Sequence, residues 1–182
     1  GGGSLALDLL TQLNERWHRN CLNISNFEKI DIGLEYQKHS QNRQDYKANR
    51  WGSKDSAAQR YEIIISAIEK NNACSWLDVG CGTGECQKKL SKRRNVTTGI
   101  GIEQAPELLE RAKAKKIENF KFVSAFSEIG ETKFDLISCV GVLSKSNLTL
   151  NEVMRLSSFH CSHKSILIID LPNRDWVEFE AA

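Results

Sequence analysis

The segment Leu77-Asp78-Val79-Gly80-Cys81-Gly82-Thr83-Gly84-Glu85 sets three glycines at alternate positions between two carboxylates. Glycines so spaced allow a tight turn and let backbone come close to a ligand. The form is G-x-G-x-G, whereas a dinucleotide site prefers G-x-G-x-x-G; that last place is Glu85 here. The Gly-Lys-Ser/Thr of a phosphate-binding loop is absent. A pyrophosphate wants free amides and no anion nearby, and Asp78 and Glu85 would repel it. The turn suits a ligand with positive charge and no phosphate. A second acidic point, Glu103, follows about twenty residues later, where an acidic side chain can accept hydrogen bonds from ribose hydroxyls.

These residues need elements to hold them. Ser75 to Val79 reads as a short apolar strand, and Glu85 to Ser91 as the helix after the turn. Val96 to Ile102 is a β-branched strand that ends at Glu103. Pro106 sits in the first turn of a helix over Glu107 to Lys115. Strands follow at Phe120 to Ser124, Phe134 to Cys139 and Ile166 to Leu171, with a helix over Leu148 to Ser158. Ahead of the turn, Ser56-Ala57-Ala58-Gln59 has the capping-box form and predicts a helix from about 56 to 70. Residues 5–21 carry Leu9, Leu10, Leu13, Trp17 and Cys21 at helical spacing, and 22–52 read as irregular with one short helix. Alternating strands and helices predict an α/β fold, Rossmann-like and doubly wound. Its mainly parallel sheet has helices on both faces, and its C-terminal strands are missing or shortened.

Leu77 to Glu85, Gly101-Ile102-Glu103 and Phe134-Asp135-Leu136-Ile137-Ser138-Cys139 resemble the successive motifs of class I S-adenosylmethionine-dependent methyltransferases. The likeness covers about residues 56–172. S-Adenosyl-L-methionine has no phosphate and carries an ammonium and a sulfonium, as the turn requires. The resemblance implies that Asp78 and Gly80 lie near the methionine part of the cofactor, with Cys81, Gly82 and Gly84 in the turn along its approach. Glu103 would hold the ribose and Gln104 would flank the adenine. Ala125 and Phe126 would meet the adenine edge, and Cys139 and Val140 would face the methionine end and the methyl group. Phe126 stands where many relatives have an Asp, so packing would replace one hydrogen bond to the base. The acidic residue and histidine that many small-molecule enzymes carry after the fourth strand are replaced by Ser144-Lys145. The Asn/Asp-Pro-Pro-Tyr signature of amino-methylating nucleic-acid and protein enzymes is missing.

Three segments are expected: a linker or tag remnant at 1–4, an N-terminal helical lid at 5–55, and an S-adenosylmethionine-binding core at 56–182. Tyr36, His39, Tyr46 and Trp51 are the lid's candidates for shaping the acceptor pocket, with His39 as the candidate catalytic base. The expected reaction moves a methyl group to an oxygen or nitrogen of a small molecule. An inactive cofactor-binding partner subunit and an RNA or protein methyltransferase are the alternatives, with a nucleotide-dependent oxidoreductase behind them. A protein partner or a second copy could complete the C-terminal part of the sheet.

The remaining composition narrows these readings. A net charge of +2 is too small to argue for nucleic acid, and the run Lys88, Lys89, Lys92, Arg93, Arg94 suits a solvated helix C-terminus. A nucleic-acid partner is therefore possible but not favoured. No apolar run is long enough to span a bilayer, and six scattered cysteines without a C-x-x-C pair fit reduced thiols in the cytoplasm. His160-Cys161-Ser162-His163 offers three metal-ligand types without a second cluster, so a loop is expected there and no metal site.

Overall fold

The alternation of apolar side chains along each strand decides which helices pack on which face. The computed structural model describes residues 44–93, 97–143 and 149–170. The elements are α1 (Asp45–Ala48), α2 (Lys54–Lys70), β1 (Ser75–Val79), α3 (Glu85–Arg93) and β2 (Thr98–Ile102). There follow α4 (Pro106–Ala114), β3 (Phe120–Val123), a 3-10 turn (Phe126–Glu128), β4 (Phe134–Cys139), α5 (Leu150–His160) and β5 (Cys161–Ile169). The sheet order is β3-β2-β1-β4-β5, and every pairing is parallel. The doubly wound α/β expectation therefore holds.

Successive strand side chains point to opposite faces. Trp76 and Leu136 bury against Ile64, Ile65 and Ile68 of α2 and Leu90 of α3. Phe122 packs with Leu109 and Ala112 of α4. On the other face Leu77, Val79, Ile137 and Cys139 pack with Leu150 and Val153 of α5. Asp78 and Ser138 share the parity of Trp76 and Leu136, so two polar side chains enter the α2–α3 layer. The sheet order reverses between β1 and β4. An open parallel sheet leaves a crevice at such a point, beyond the carboxyl ends of the strands.

Three local expectations change. The start of α2 lies earlier: Ser53 is the N-cap, its hydroxyl accepting from the Ser56 amide at 3.0 Å. Ser56 lies inside the helix, and its hydroxyl and carbonyl both accept from the Arg60 guanidinium. The capping box that does form is Thr149 with Glu152, which starts α5. Finally, the residues expected as a loop at 160–163 are the end of α5 and the start of β5. β5 pairs Cys161 with Phe134 and Ile166 with Leu136, so five residues advance on β5 while two advance on β4. The polar residues between are held by side chains. Ser165 donates to the Phe134 carbonyl at 2.5 Å, and Ser162 contacts Asp135 at 3.4 Å.

No described helix is long and apolar enough to cross a membrane. Cys74, Cys81, Cys86, Cys139 and Cys161 are unpaired.

Leu136 is fully buried on β4, beside Trp76 of the central strand β1. Leu136→Ala should lower unfolding free energy by about 2–5 kcal/mol, read from the urea midpoint at constant slope.

Candidate functional site

β1 ends in a turn whose backbone is satisfied piece by piece. The amides of Gly80 and Cys81 both donate to the Ile102 carbonyl, at 2.8 and 3.0 Å, which ties the turn to β2. Gly80 and Gly82 have φ of +77° and +57°, a region L side chains rarely adopt. A Cβ on Gly82 would also sit 2.5 Å from Asn49 Oδ1, so nothing larger fits.

Side chains from three other places complete the turn. Glu103 Oε2 accepts the Gly82 amide at 2.9 Å, while its Oε1 accepts the Ala105 amide at 2.8 Å. Asn49 Oδ1 accepts the Thr83 amide at 3.0 Å. Lys115 Nζ donates to the Thr83 carbonyl at 2.6 Å and sits 3.0 Å from Asp45 and 3.4 Å from Glu85. Arg111 pairs with the other oxygen of Asp45. Together Lys115 and Arg111 on and after α4 hold α1 against the turn.

Asp78 lies at the bottom of the site. Its Oδ1 accepts from the Ser138 hydroxyl at 2.5 Å, and its Oδ2 accepts from Gln87 Nε2 at 2.7 Å. Trp76 Nε1 donates to the same Ser138 hydroxyl at 2.8 Å. Burial pushes the Asp78 carboxyl up to about 6, against the two hydrogen bonds that favour its charge. Burial also raises Glu103, opposed by the amides of Ala105, Gly82 and Gln104. Among the described residues neither carboxylate has a cation beside it, which makes the floor receptive to positive charge.

Above this floor opens a cavity of about 530 Å³, within the ordinary range for small-molecule sites. Asp78, Gly80, Cys81, Gly82, Glu103, Gln104, Phe126 and Val140 all line it. Gly84, Ala125 and Cys139 are not on its wall. Gly84 faces Phe122 and Ala112, the Ala125 amide donates to Glu128, and Cys139 is wholly buried with its thiol pushed up to about 12. His39 lies outside the described residues. Of the other lid candidates, Tyr46 is described but does not line the cavity, whereas Trp51 does.

The wall also contains residues that sequence reading did not single out. Asn49, Arg60, Tyr61 and Gly141 line the cavity. Tyr61 packs with Ile64, Ile65 and Ile68 of α2. Its hydroxyl accepts from Asn49 Nδ2 at 3.4 Å and from the Trp51 indole. Burial raises its phenol to about 12, so it stays protonated. No local motif marks Asn49 or Arg60; the docking of the segment before α2 brings Asn49 in, and Arg60 enters from α2 itself. Among the described residues no group of three His, Cys, Asp or Glu side chains could hold a metal ion. His160 is buried, with Nδ1 3.0 Å from the Thr132 carbonyl.

Residues 56–181 match a protein family described as Methyltransferase domain, Methyltransf_23. The chain belongs to that family, among the class I S-adenosylmethionine-dependent methyltransferases. A curated relative, trans-aconitate 2-methyltransferase of Deinococcus radiodurans, is 26% identical over 84 residues, covering 46% of this chain and 33% of the relative. Among solved structures, the plantazolicin methyltransferase BpumL bound to a pentazolic substrate analogue and S-adenosylhomocysteine aligns with a TM-score of 0.61 at 18% identity. That match covers 94% of this chain and 64% of the other. A methyltransferase from Thiobacillus denitrificans bound to S-adenosylhomocysteine aligns at 0.51 and 19% identity, covering 68% of this chain and 54% of the other. These structural likenesses speak to the fold. The chain spans about a third of the curated relative's length.

Asn49 is a test of how the turn is held. Asn49→Ala removes the acceptor for the Thr83 amide, and S-adenosylhomocysteine Kd should rise about tenfold by calorimetry. An unchanged Kd would show that the turn holds its shape without α1.

Proposed function

We propose that this domain transfers a methyl group from S-adenosylmethionine to an oxygen or nitrogen of a small molecule. The observation that carries the reading is the pairing of Glu103 with the glycine turn. One carboxylate receives the Gly82 and Ala105 amides and still lines the cavity with spare lone pairs. A carboxylate locked in this way is already oriented to accept from two ribose hydroxyls. The donor set also fits the cofactor's other end. Asp78 is a buried carboxylate with two neutral donors and, among the described residues, no cation, and an ammonium or sulfonium above it would supply the missing charge. Phe126 packs beside the cavity at the end of β3 and offers a face to an adenine ring.

When bound, S-adenosylmethionine supplies an activated methyl group for in-line displacement, which leaves S-adenosylhomocysteine. The protein's share is then orientation and exclusion of water. Gly80, Val140 and Gly141 form backbone walls at the switch point, and Trp51 covers Gly141 so closely that a Cβ there would collide with the indole. A neutral amine acceptor needs no base. For a hydroxyl acceptor His39 is our candidate base, on the strength of its place in the segment ahead of α1. A small-molecule acceptor is supported by the size of the cavity, about 530 Å³, and by the name of the trans-aconitate methyltransferase relative.

The domain scheme of 1–4, 5–55 and 56–182 belongs to this proposal, with the refinement that Asn49 and Trp51 serve the core site directly.

Asp78→Ala and Glu103→Ala should each weaken S-adenosylhomocysteine binding at least about tenfold. Parental affinity in both variants would remove the site assignment. The pH dependence follows from Asp78. Below about 6 its carboxyl is protonated and neutral, and above that it is an anion facing the cavity. A cationic ligand favours the anion, so affinity should rise as pH climbs through about 6 and fall up to about tenfold per unit below it. Asp78→Asn should flatten that profile.

A further inference from the structure

Gln87 is not on the cavity wall, yet it is wholly buried and reaches the site's floor. Its helix, α3, buries Cys86 and Leu90 in the apolar layer with Trp76 and Leu136, and Gln87 is the polar exception on that face. One end of its amide is paired and the other is not. Nε2 donates to Asp78 Oδ2 at 2.7 Å, while Oε1 has no hydrogen-bond partner among the described residues. A buried amide oxygen left unpaired costs stability and calls for an explanation.

The two oxygens of Asp78 differ in how they can carry a proton. Oδ1 accepts from the Ser138 hydroxyl at 2.5 Å, and that hydroxyl accepts from Trp76 Nε1 at 2.8 Å. A proton on Oδ1 would meet the Ser138 hydrogen head-on, and the described residues offer that hydrogen no other acceptor. A proton on Oδ2 would meet the Gln87 amide hydrogens instead, and there the conflict has a remedy. Rotation about the last side-chain torsion exchanges Nε2 for Oε1, so that two opposed donors become a donor facing an acceptor. One end of the amide stays unpaired in either orientation. The charge on Asp78 therefore decides which end faces it.

We propose that Gln87 is a positioning residue for cofactor binding, whose buried amide turns end for end to offer nitrogen to Asp78 as the anion and oxygen to Asp78 as the acid. This rests on the reading that the cofactor's positive charge sits above Asp78, and adds that binding expels a proton. The Oδ2–H bond breaks, the proton leaves for the buffer, and the ligand's cation takes its place. The other titratable groups facing Asp78 are Cys81 in the turn, Cys86 on α3, Cys139 on β4 and Glu103 at the end of β2, with Tyr61 and the Arg60 guanidinium of α2 on the shared cavity wall. Burial raises the three thiols and the Tyr61 phenol, so they stay protonated. Glu103 is held by the amides of Ala105, Gly82 and Gln104 and not by Gln87, so a change at Gln87 acts on Asp78 alone.

The test follows S-adenosylhomocysteine binding by calorimetry from pH 5 to 8, in phosphate and in MES at pH 6 to count released protons. The parent should release about half a proton per ligand at pH 6 and almost none at pH 8. Gln87→Met fills the same space with no hydrogen-bonding end. Losing a hydrogen bond to the anion outweighs losing one to the acid, so the midpoint of affinity against pH should move up by about one unit, with affinity at pH 8 within about threefold of the parent. A measurement on the parent alone serves if that variant does not fold. The nuclear Overhauser contact between the Gln87 amide hydrogens and the Asp78 β hydrogens should be present at pH 8 and weaken at pH 5. A midpoint unmoved in Gln87→Met, or an amide that keeps the same contact at both pH values, overturns the proposal. A parent with equal affinity at pH 5 and 8 would instead sink the reading of Asp78 as the cation's partner, and a parent that binds no S-adenosylhomocysteine would sink the cofactor reading beneath both.

Discussion

Three backbone groups in the turn after β1 find their partners in side chains from elsewhere: the amides of Gly82 and Thr83 and the carbonyl of Thr83. Buried backbone groups must be paired, so whatever pairs them becomes part of the turn. Glu103 does this from the end of β2, Asn49 from the segment after α1, and Lys115 from the end of α4. The same three contacts bring an acidic side chain, an N-terminal segment and a helix to one edge of the sheet. The cavity is the space they enclose.

The second dependence is electrostatic. Asp78 is an acid buried in an apolar layer, between Trp76 and the α2–α3 helices. Ser138 and Gln87 give it hydrogen bonds but no compensating charge. Such a group is costly to ionise in the free protein, and a ligand that brings positive charge recovers that cost. A site with this floor discriminates against phosphates by charge as well as by shape. Arg60 brings the opposite sign to the same wall, on a helix that otherwise serves the core.

Local patterning made most of the fold legible. The five strands are short apolar or β-branched runs, and Pro106 and the glycine turn mark element boundaries by chemistry that acts over a few residues. Boundaries moved where side chains competed for the same backbone. Ser56 has the form of a cap, but Ser53, in extended backbone, accepts the Ser56 amide and starts α2 earlier. His160 to His163 looked like a polar loop, yet Ser162 and Ser165 let a strand begin there across an irregular register.

The glycine spacing and its two flanking acids determined by themselves the kind of ligand, because turn geometry and charge are properties of adjacent residues. Glu103 was legible by its distance along the sequence from the turn, and the pairing of β1 with β2 puts it there. Only the tertiary structure decided who completes the site. Asn49 and Thr83 are 34 positions apart, and Arg60 and Asp170 lie on elements that meet only when β5 joins the sheet. It likewise separated cavity wall from support. Gly84 and Cys139 belong to the motifs but face the packed interior, since strand parity and the direction of the turn, rather than membership in a motif, decide where a residue points.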